Sequence, residues 1–352
     1  MKIRLAITAL FVALMLPFST LNVSAGFTGM TLQGNPDGSF SVNGDFISVR
    51  YNGDLSPTFE SVEISRSTVV PHFESLFGSI DVLDFKPASD PTMSEQSVLV
   101  SSSEMGVEFH NNPMVTMKFM ASNKSLVSFS LEEEIGAIVD SRHVRLGKEG
   151  LTAELIASSE ATFEKSFDKI LLRMEAGGTC YFRASIIPDE FVGKEISAGA
   201  IVGELYLTQV ESNVVTDLIQ YEPISIAPSF VSSEKVVIDV SGELSGRRVI
   251  VLTLDKSMFS IPADTLVVEL NGNDIGQVDD LNRILEGGAN AFFASENEGT
   301  LEVFVPLSHF SKHTVVLSGE SKATFPWDSL AVVLGGTVVL LVATAYLFKR
   351  RN

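Results

Sequence analysis

Ser39-Phe-Ser-Val-Asn43-Gly44-Asp45-Phe-Ile-Ser-Val-Arg-Tyr51-Asn52-Gly53 alternates apolar and polar residues in two short runs, each closed by Asn-Gly. Alternation with period two puts successive side chains on opposite faces of a strand, and Asn-Gly best tolerates positive φ at both centres of a type I′ turn. The stretch therefore predicts a β-meander. The same texture recurs along the chain at Ser61 to Ser65, Ile80 to Phe85, Ser97 to Val100, Gly106 to Phe109, Val115 to Met120, Leu126 to Leu131, Leu151 to Ile156, Ile170 to Met174 and Thr179 to Ala184. So many half-buried runs in one stretch predict an all-β fold of sandwich or barrel type rather than an α/β sheet.

The chain has 352 residues, a formal net charge of −19, 45% hydrophobic residues and one cysteine. That composition excludes a disulfide-stapled miniprotein and a disordered tail, and its length at about 150 residues per domain suggests two or three domains. A surface this acidic repels phosphate backbones, which excludes nucleic acid as a partner.

Proline and serine cluster at Pro87 to Glu95 and again at Tyr221 to Ser233, marking two boundaries. They divide the chain into an N-terminal β-meander region (26–95), a middle β-domain (96–222) and a membrane-proximal β-sandwich (234–320). In the last, strands are expected at Lys235 to Val240, Arg248 to Leu254, Thr265 to Glu269, Leu301 to Val305 and Thr314 to Leu317. Asn271-Gly272 reads as a turn, and a short helix is expected over Val278 to Glu286. An immunoglobulin-like or related sandwich fits this pattern, without the Cys and Trp markers of antibody-type domains.

The two ends carry the strongest hydrophobic signals. Residues 1–25 join Lys2 and Arg4 to an uncharged run from Leu5 to Leu16 and a small-residue stretch ending at Ala25, the pattern of a secretory signal peptide cut between Ala25 and Gly26. Leu330 to Phe348 carries no charge and would rise about 28 Å as a helix, enough to cross the hydrocarbon core. A transmembrane helix is expected over 328–348. Trp327 and Tyr346 stand at its two interfaces, and Lys349, Arg350 and Arg351 hold a short tail, 349–352, in the cytoplasm. The expected topology is single-pass in the cell membrane, N-terminus outside.

Chemistry is harder to find. Cys180 lacks a disulfide partner and reads as a small buried hydrophobe. His309 and His313 are spaced i, i+4 but precede a strand and lack the intervening Glu of a zincin. Asn271 to Gly276 begins like a calcium loop, yet Ile275 and Asn282 occupy two ligand places, and acids such as Asp84, Asp90, Asp189 and Glu190 show no cage spacing. Calcium is therefore unsupported, and no catalytic, cofactor-binding or metal-ligating residue is assigned. Asn123-Lys-Ser125 is an N-glycosylation acceptor between two strands.

Pro306-Leu-Ser-His-Phe-Ser-Lys-His-Thr-Val-Val316-Leu resembles a closing strand that recurs, as His-Phe-Ser-x-His-Thr, in uncharacterised membrane-anchored surface proteins of euryarchaea. The match covers about a dozen residues. More loosely, His110-Asn-Asn-Pro-Met-Val-Thr-Met-Lys-Phe through Thr179-Cys-Tyr-Phe-Arg-Ala is similar to a β-rich segment of archaeal envelope proteins. Many such proteins end in a Pro-Gly-Phe sorting signal; here Phe325-Pro-Trp-Asp stands in its place, which favours a retained helix. The resemblance implies a compartment and a fold rather than an activity. The expectation is an anchored surface protein whose acidic ectodomain is an envelope, adhesion or ligand-binding module, its partner an extracellular polymer or surface protein. An extracytoplasmic hydrolase of envelope polymers, or an accessory subunit with an exposed apolar patch around Phe292-Phe293, is the alternative.

Overall fold

A computed structural model describes residues 30–53, 57–65, 73–94, 96–148, 151–185, 192–210, 212–287, 290–296, 299–308 and 312–319. The protein is all-β, as the alternation predicts. The first lobe is built from β1 (Thr31–Gly34), β2 (Phe40–Asn43), β3 (Ile47–Asn52), β4 (Thr58–Ser65), β5 (Phe73–Val82), β6 (Thr92–Met93), β7 (Ser97–Ser101), β8 (Met105–His110), β9 (Val115–Ala121), β10 (Ser125–Leu131), β11 (Gly136–Val139), β12 (His143–Lys148), β13 (Leu151–Ala157), β14 (Ala161–Ser166), β15 (Lys169–Met174) and β16 (Thr179–Ser185). They form two eight-stranded sheets, ordered β1-β2-β3-β4-β5-β10-β15-β14 and β11-β12-β13-β16-β9-β8-β7-β6.

One face of each sheet is turned to a shared core. Rings interlock across the two layers: Phe77 of β5 meets Phe182 of β16 at 5.3 Å, Phe129 of β10 meets Phe119 of β9 at 5.5 Å, and Phe59 of β4 meets Phe109 of β8 at 5.3 Å. Such edge-to-face pairs add about 0.5–1.5 kcal/mol each beyond the area they bury. This core draws on residues from Met30 to Ala184, so the meander region and the strands after Glu95 do not have separate cores. β6 itself lies within the segment expected as a linker.

The second lobe begins with helix α1 (Val192–Ser197) and continues through β17 (Ile201–Val210), β18 (Asn213–Gln220), β19 (Ile224–Val231), β20 (Lys235–Gly242), β21 (Arg248–Asp255), β22 (Leu266–Leu270), β23 (Asn273–Val278), helix α2 (Asn282–Leu285), β24 (Ala291–Glu296), β25 (Thr300–Leu307) and β26 (His313–Gly319). Its strands make one ten-stranded sheet ordered β18-β17-β21-β25-β24-β23-β22-β26-β20-β19. Leu205 and Leu207 near one end of that order share a core with Val236, Ile238 and Val240 near the other, so the sheet curls round on itself. The expected boundary at Tyr221 to Ser233 is occupied by β19, which pairs with β20. Two neighbour pairs, β17 with β21 and β23 with β24, are parallel, a departure from the all-antiparallel immunoglobulin pattern expected over 234–320.

Three local expectations are corrected. Gly44 is not at positive φ: a Cβ there would meet Asn111 Oδ1 at 2.7 Å, and that oxygen accepts the N–H of Asp45 at 2.8 Å, so the glycine serves close approach instead of a type I′ turn. Gly53 likewise makes room, here for the carbonyl oxygen of Gly38. The helix expected over Val278 to Glu286 shrinks to α2, because Val278 is taken into β23 opposite Phe293 and the Asp280 carboxylate accepts the N–H of Asn282 at 3.0 Å. Asn271-Gly272 does form its predicted turn, with φ of 55° and 78° between β22 and β23. Among the described residues no helix is long and apolar enough to cross a membrane, and 328–348 lies outside them.

Candidate functional site

The alternation of β8, β9, β13 and β16 sends Val107, Phe109, Phe119, Leu155 and Phe182 into the first core and the opposite set outward. That outward set is Glu108, His110, Lys118, Glu154, Tyr181 and Arg183, and only Glu108 and Lys118 among them keep partial exposure. Glu154 and Arg183 are 1% exposed and His110 3%. The covering surface comes from β17, β21 and β25 of the second lobe, which are buried along nearly their whole length. One face of these strands lines the curled core; the other carries Glu204, Thr253 and Glu302, all buried.

Arg183 crosses this junction. Its Nε donates to Glu204 Oε1 at 3.0 Å and its Nη2 to Glu302 Oε1 at 3.3 Å. Burial opposes the guanidinium charge, but the two carboxylates more than offset it and hold the side chain protonated. A second bridge stands at His110, whose Nδ1 lies 3.1 Å from Asp217 Oδ1 on β18 and whose Nε2 lies 3.4 Å from Glu108 Oε2 on its own strand. Asn112 Nδ2 donates to Asp217 Oδ2 at 3.1 Å, while Asn112 Oδ1 accepts the N–H of Met114 at 2.8 Å. Burial pushes the His110 pKa down, but the charge and hydrogen bond of Asp217, with Glu108 behind them, raise it to about 9. Glu108, which burial alone would raise, is pulled to about 2 by His110, Lys118 and Ser97. His110 and Arg183 are therefore both held in their charged forms at neutral pH.

Apolar contacts complete the junction. Phe46 meets Tyr206 edge-on at 6.0 Å, and Met114, Val115, Tyr181 and Ile219 form a small cluster shared by the lobes. The face of α1 bearing Val192 and Ile196 joins Ile156 of the first lobe to Val251 and Phe304 of the second.

Beside the junction opens a cleft of about 700 Å³. The first lobe supplies Lys118, Arg142, Ser158 to Glu160, Thr179 and Tyr181; the second supplies the end of α1 and the turn from Gln220 to Pro223. Tyr181 Oη donates to the carbonyl of Gln220 at 2.7 Å, and its ring packs against Tyr221 at 4.8 Å with Lys118 Nζ 5.8 Å from its centre. Burial raises the Tyr181 hydroxyl to about 12, so it remains a donor.

Of the residues singled out in the sequence, Ala25, Gly26, Trp327, Tyr346, Lys349, Arg350 and Arg351 lie outside the described residues, as do Asp189, Glu190 and His309. Asn123 is exposed in the turn between β9 and β10. Cys180 is fully buried, and burial pushes its thiol far up, away from the nucleophilic thiolate. Asn271 serves the fold: its Nδ2 bonds His313 Nδ1 at 2.9 Å and its Oδ1 accepts the N–H of Thr314 at 3.0 Å. Among the described residues no group of three or more His, Cys, Asp or Glu is placed to hold a metal. Phe292 and Phe293 do not form an exposed patch, since Phe292 is 1% exposed and Phe293 packs on Phe304 at 5.9 Å.

The sequence reading missed Arg183, Glu204, Glu302, His110 and Asp217. A signal for them exists: Ile201-Val-Gly-Glu-Leu-Tyr-Leu207 and Leu301-Glu-Val-Phe-Val305 each set one acid inside an apolar run, as strands covered on both faces do around a buried ion pair. No family model matches the chain, and no curated protein matches it.

Proposed function

We propose that this is a single-pass cell-surface protein of the euryarchaeal kind it resembles, its acidic ectodomain a rigid β platform serving as an envelope, adhesion or ligand-binding module. The observation that carries this reading is the junction, where buried Arg183 and His110 bind the two lobes to each other. Lobes joined through buried ion pairs and shared apolar clusters hold one relative arrangement, which suits a body that presents a fixed surface. The same pairing weighs against a hydrolase at this place, because Glu108, held at about 2, keeps no proton to give as a general acid.

The rest of the reading is sequence-borne: a signal peptide at 1–25, a spanning helix at 328–348 and cations at Lys349, Arg350 and Arg351. Labelling intact cells with a membrane-impermeant amine reagent tests it. Ectodomain lysines are expected to label without lysis, the protein to sediment with membranes, and deletion of 328–352 to release it. Labelling that requires lysis, or membrane association that survives the deletion, would contradict it.

A further inference from the structure

We propose that the cleft between the lobes binds a neutral saccharide, an inference that rests on the ligand-binding form of the function above. Small-ligand sites favour clefts of about 300–1,000 Å³ where two lobes meet, and this one, at about 700 Å³, is lined from both. Its wall offers one partly exposed ring, Tyr221 of the second lobe, backed edge to face at 4.8 Å by the buried ring of Tyr181 from the first. The bond from Tyr181 Oη to the Gln220 carbonyl fixes that ring before any ligand arrives, as preorganised recognition requires. Tyrosine rings pack against the apolar C–H face of a sugar, while its hydroxyls need acceptors and donors around the rim.

The rim has both. Glu160 is an acceptor held in place, its Oε1 taking the hydroxyl of Ser159 at 2.6 Å, and these hydrogen bonds keep its pKa low. Arg142 and Lys118 are donors on the same cleft. Charge selects among saccharides. Lys118 and Arg142 balance Glu160 and Glu222 within the cleft, in a chain whose net charge is −19. The local charges cancel and the long-range field repels anions, so uronate or sulfated polymers are disfavoured against neutral rings.

The test titrates the full-length protein, in a non-glycosidic detergent, with neutral hexose and N-acetylhexosamine oligosaccharides and with uronate oligosaccharides, followed by calorimetry and ligand-observed NMR. Two variants accompany it: Ser197→Trp, which fills the cleft from the partly exposed end of α1, and Glu160→Gln at an exposed carboxylate. The expected result is binding of a neutral oligosaccharide, uronates weaker by about tenfold or more, and a loss of about tenfold or more in each variant at unchanged melting temperature. Absence of neutral-saccharide binding to protein that melts normally, or tighter binding of uronates, overturns the inference. Saccharide binding untouched by both variants overturns the cleft but leaves the ligand-binding reading standing. Failure of the surface-labelling experiment would overturn that reading without touching the cleft's affinity.

Discussion

Arg183 occupies an outward position of β16 that the alternation Thr179-Cys-Tyr-Phe-Arg183 marks correctly as polar, but alternation cannot say what covers a polar face. Glu204 and Glu302 cover this one, and removing the cation takes the guanidinium away from two buried carboxylates. Breaking a buried pair in this way costs about 3–5 kcal/mol, so Arg183→Met should lower the unfolding free energy by that amount in urea titration; a loss below about 1 kcal/mol would contradict the assignment. The His110 pair gives a pH dependence. Its folded pKa of about 9 is above the ordinary 6.5, so its contribution is complete below about 6.5 and disappears as pH rises through 9. At 1.36 kcal/mol per unit this is about 3 kcal/mol. Glu108 acts in the opposite sense: its folded pKa of about 2 is below the ordinary 4.5, so its contribution is complete above about 4.5 and lost as pH falls toward 2. Stability should therefore be highest between about pH 5 and 6.5 and fall on both sides, and His110→Gln should flatten the alkaline side. An unchanged alkaline limb in that variant would show that another group titrates there.

Among the elements, strands with one face on a core were legible because their period is visible without knowing the partner, as in Val115 to Met120 and Lys235 to Val240. Elements defined by distant neighbours were not. β17 is buried on both faces and β1 is largely exposed, and neither pattern alternates as a half-buried strand does. Helix α1 depends on Gly193, where a Cβ would overlap the Glu154 carboxylate that His143 Nε2 holds at 2.8 Å. Gly to Ala inside a helix ordinarily stabilises by about 0.5–1 kcal/mol. Here Gly193→Ala should destabilise instead, read as a lower melting temperature, and a rise would mean that Glu154 moves aside freely. Gly272, at φ +78° in the Asn271-Gly272 turn, gives the complementary case: Gly272→Val should cost about 1–2 kcal/mol through left-handed strain alone, because no atom lies within 4 Å of the added Cβ. A loss much larger than that in urea titration would point to a clash instead.

For the whole molecule, composition and patterning made the fold class legible but not the division into lobes. Pro87 to Glu95 looks like a linker because proline and serine cluster there, yet the strands on both sides share one core. Tyr221 to Ser233 looks like a second linker, yet Ile224 and Ile226 of β19 are buried in the curled sheet. Pro228 is tolerated because β19 ends its sheet, where a missing N–H leaves no ladder bond unmade, and Pro87 and Pro91 precede β6 rather than lie in it. The cleft was not legible at all, since its walls are far apart in sequence. Arg183 and His110 make the two lobes one cooperative unit, and scanning calorimetry of the full-length protein decides whether they do. A single transition is expected for the wild type, separating into two in the double variant Arg183→Met, Asp217→Asn. Two independent lobe transitions in the wild type, or one undivided transition in the double variant, would contradict it.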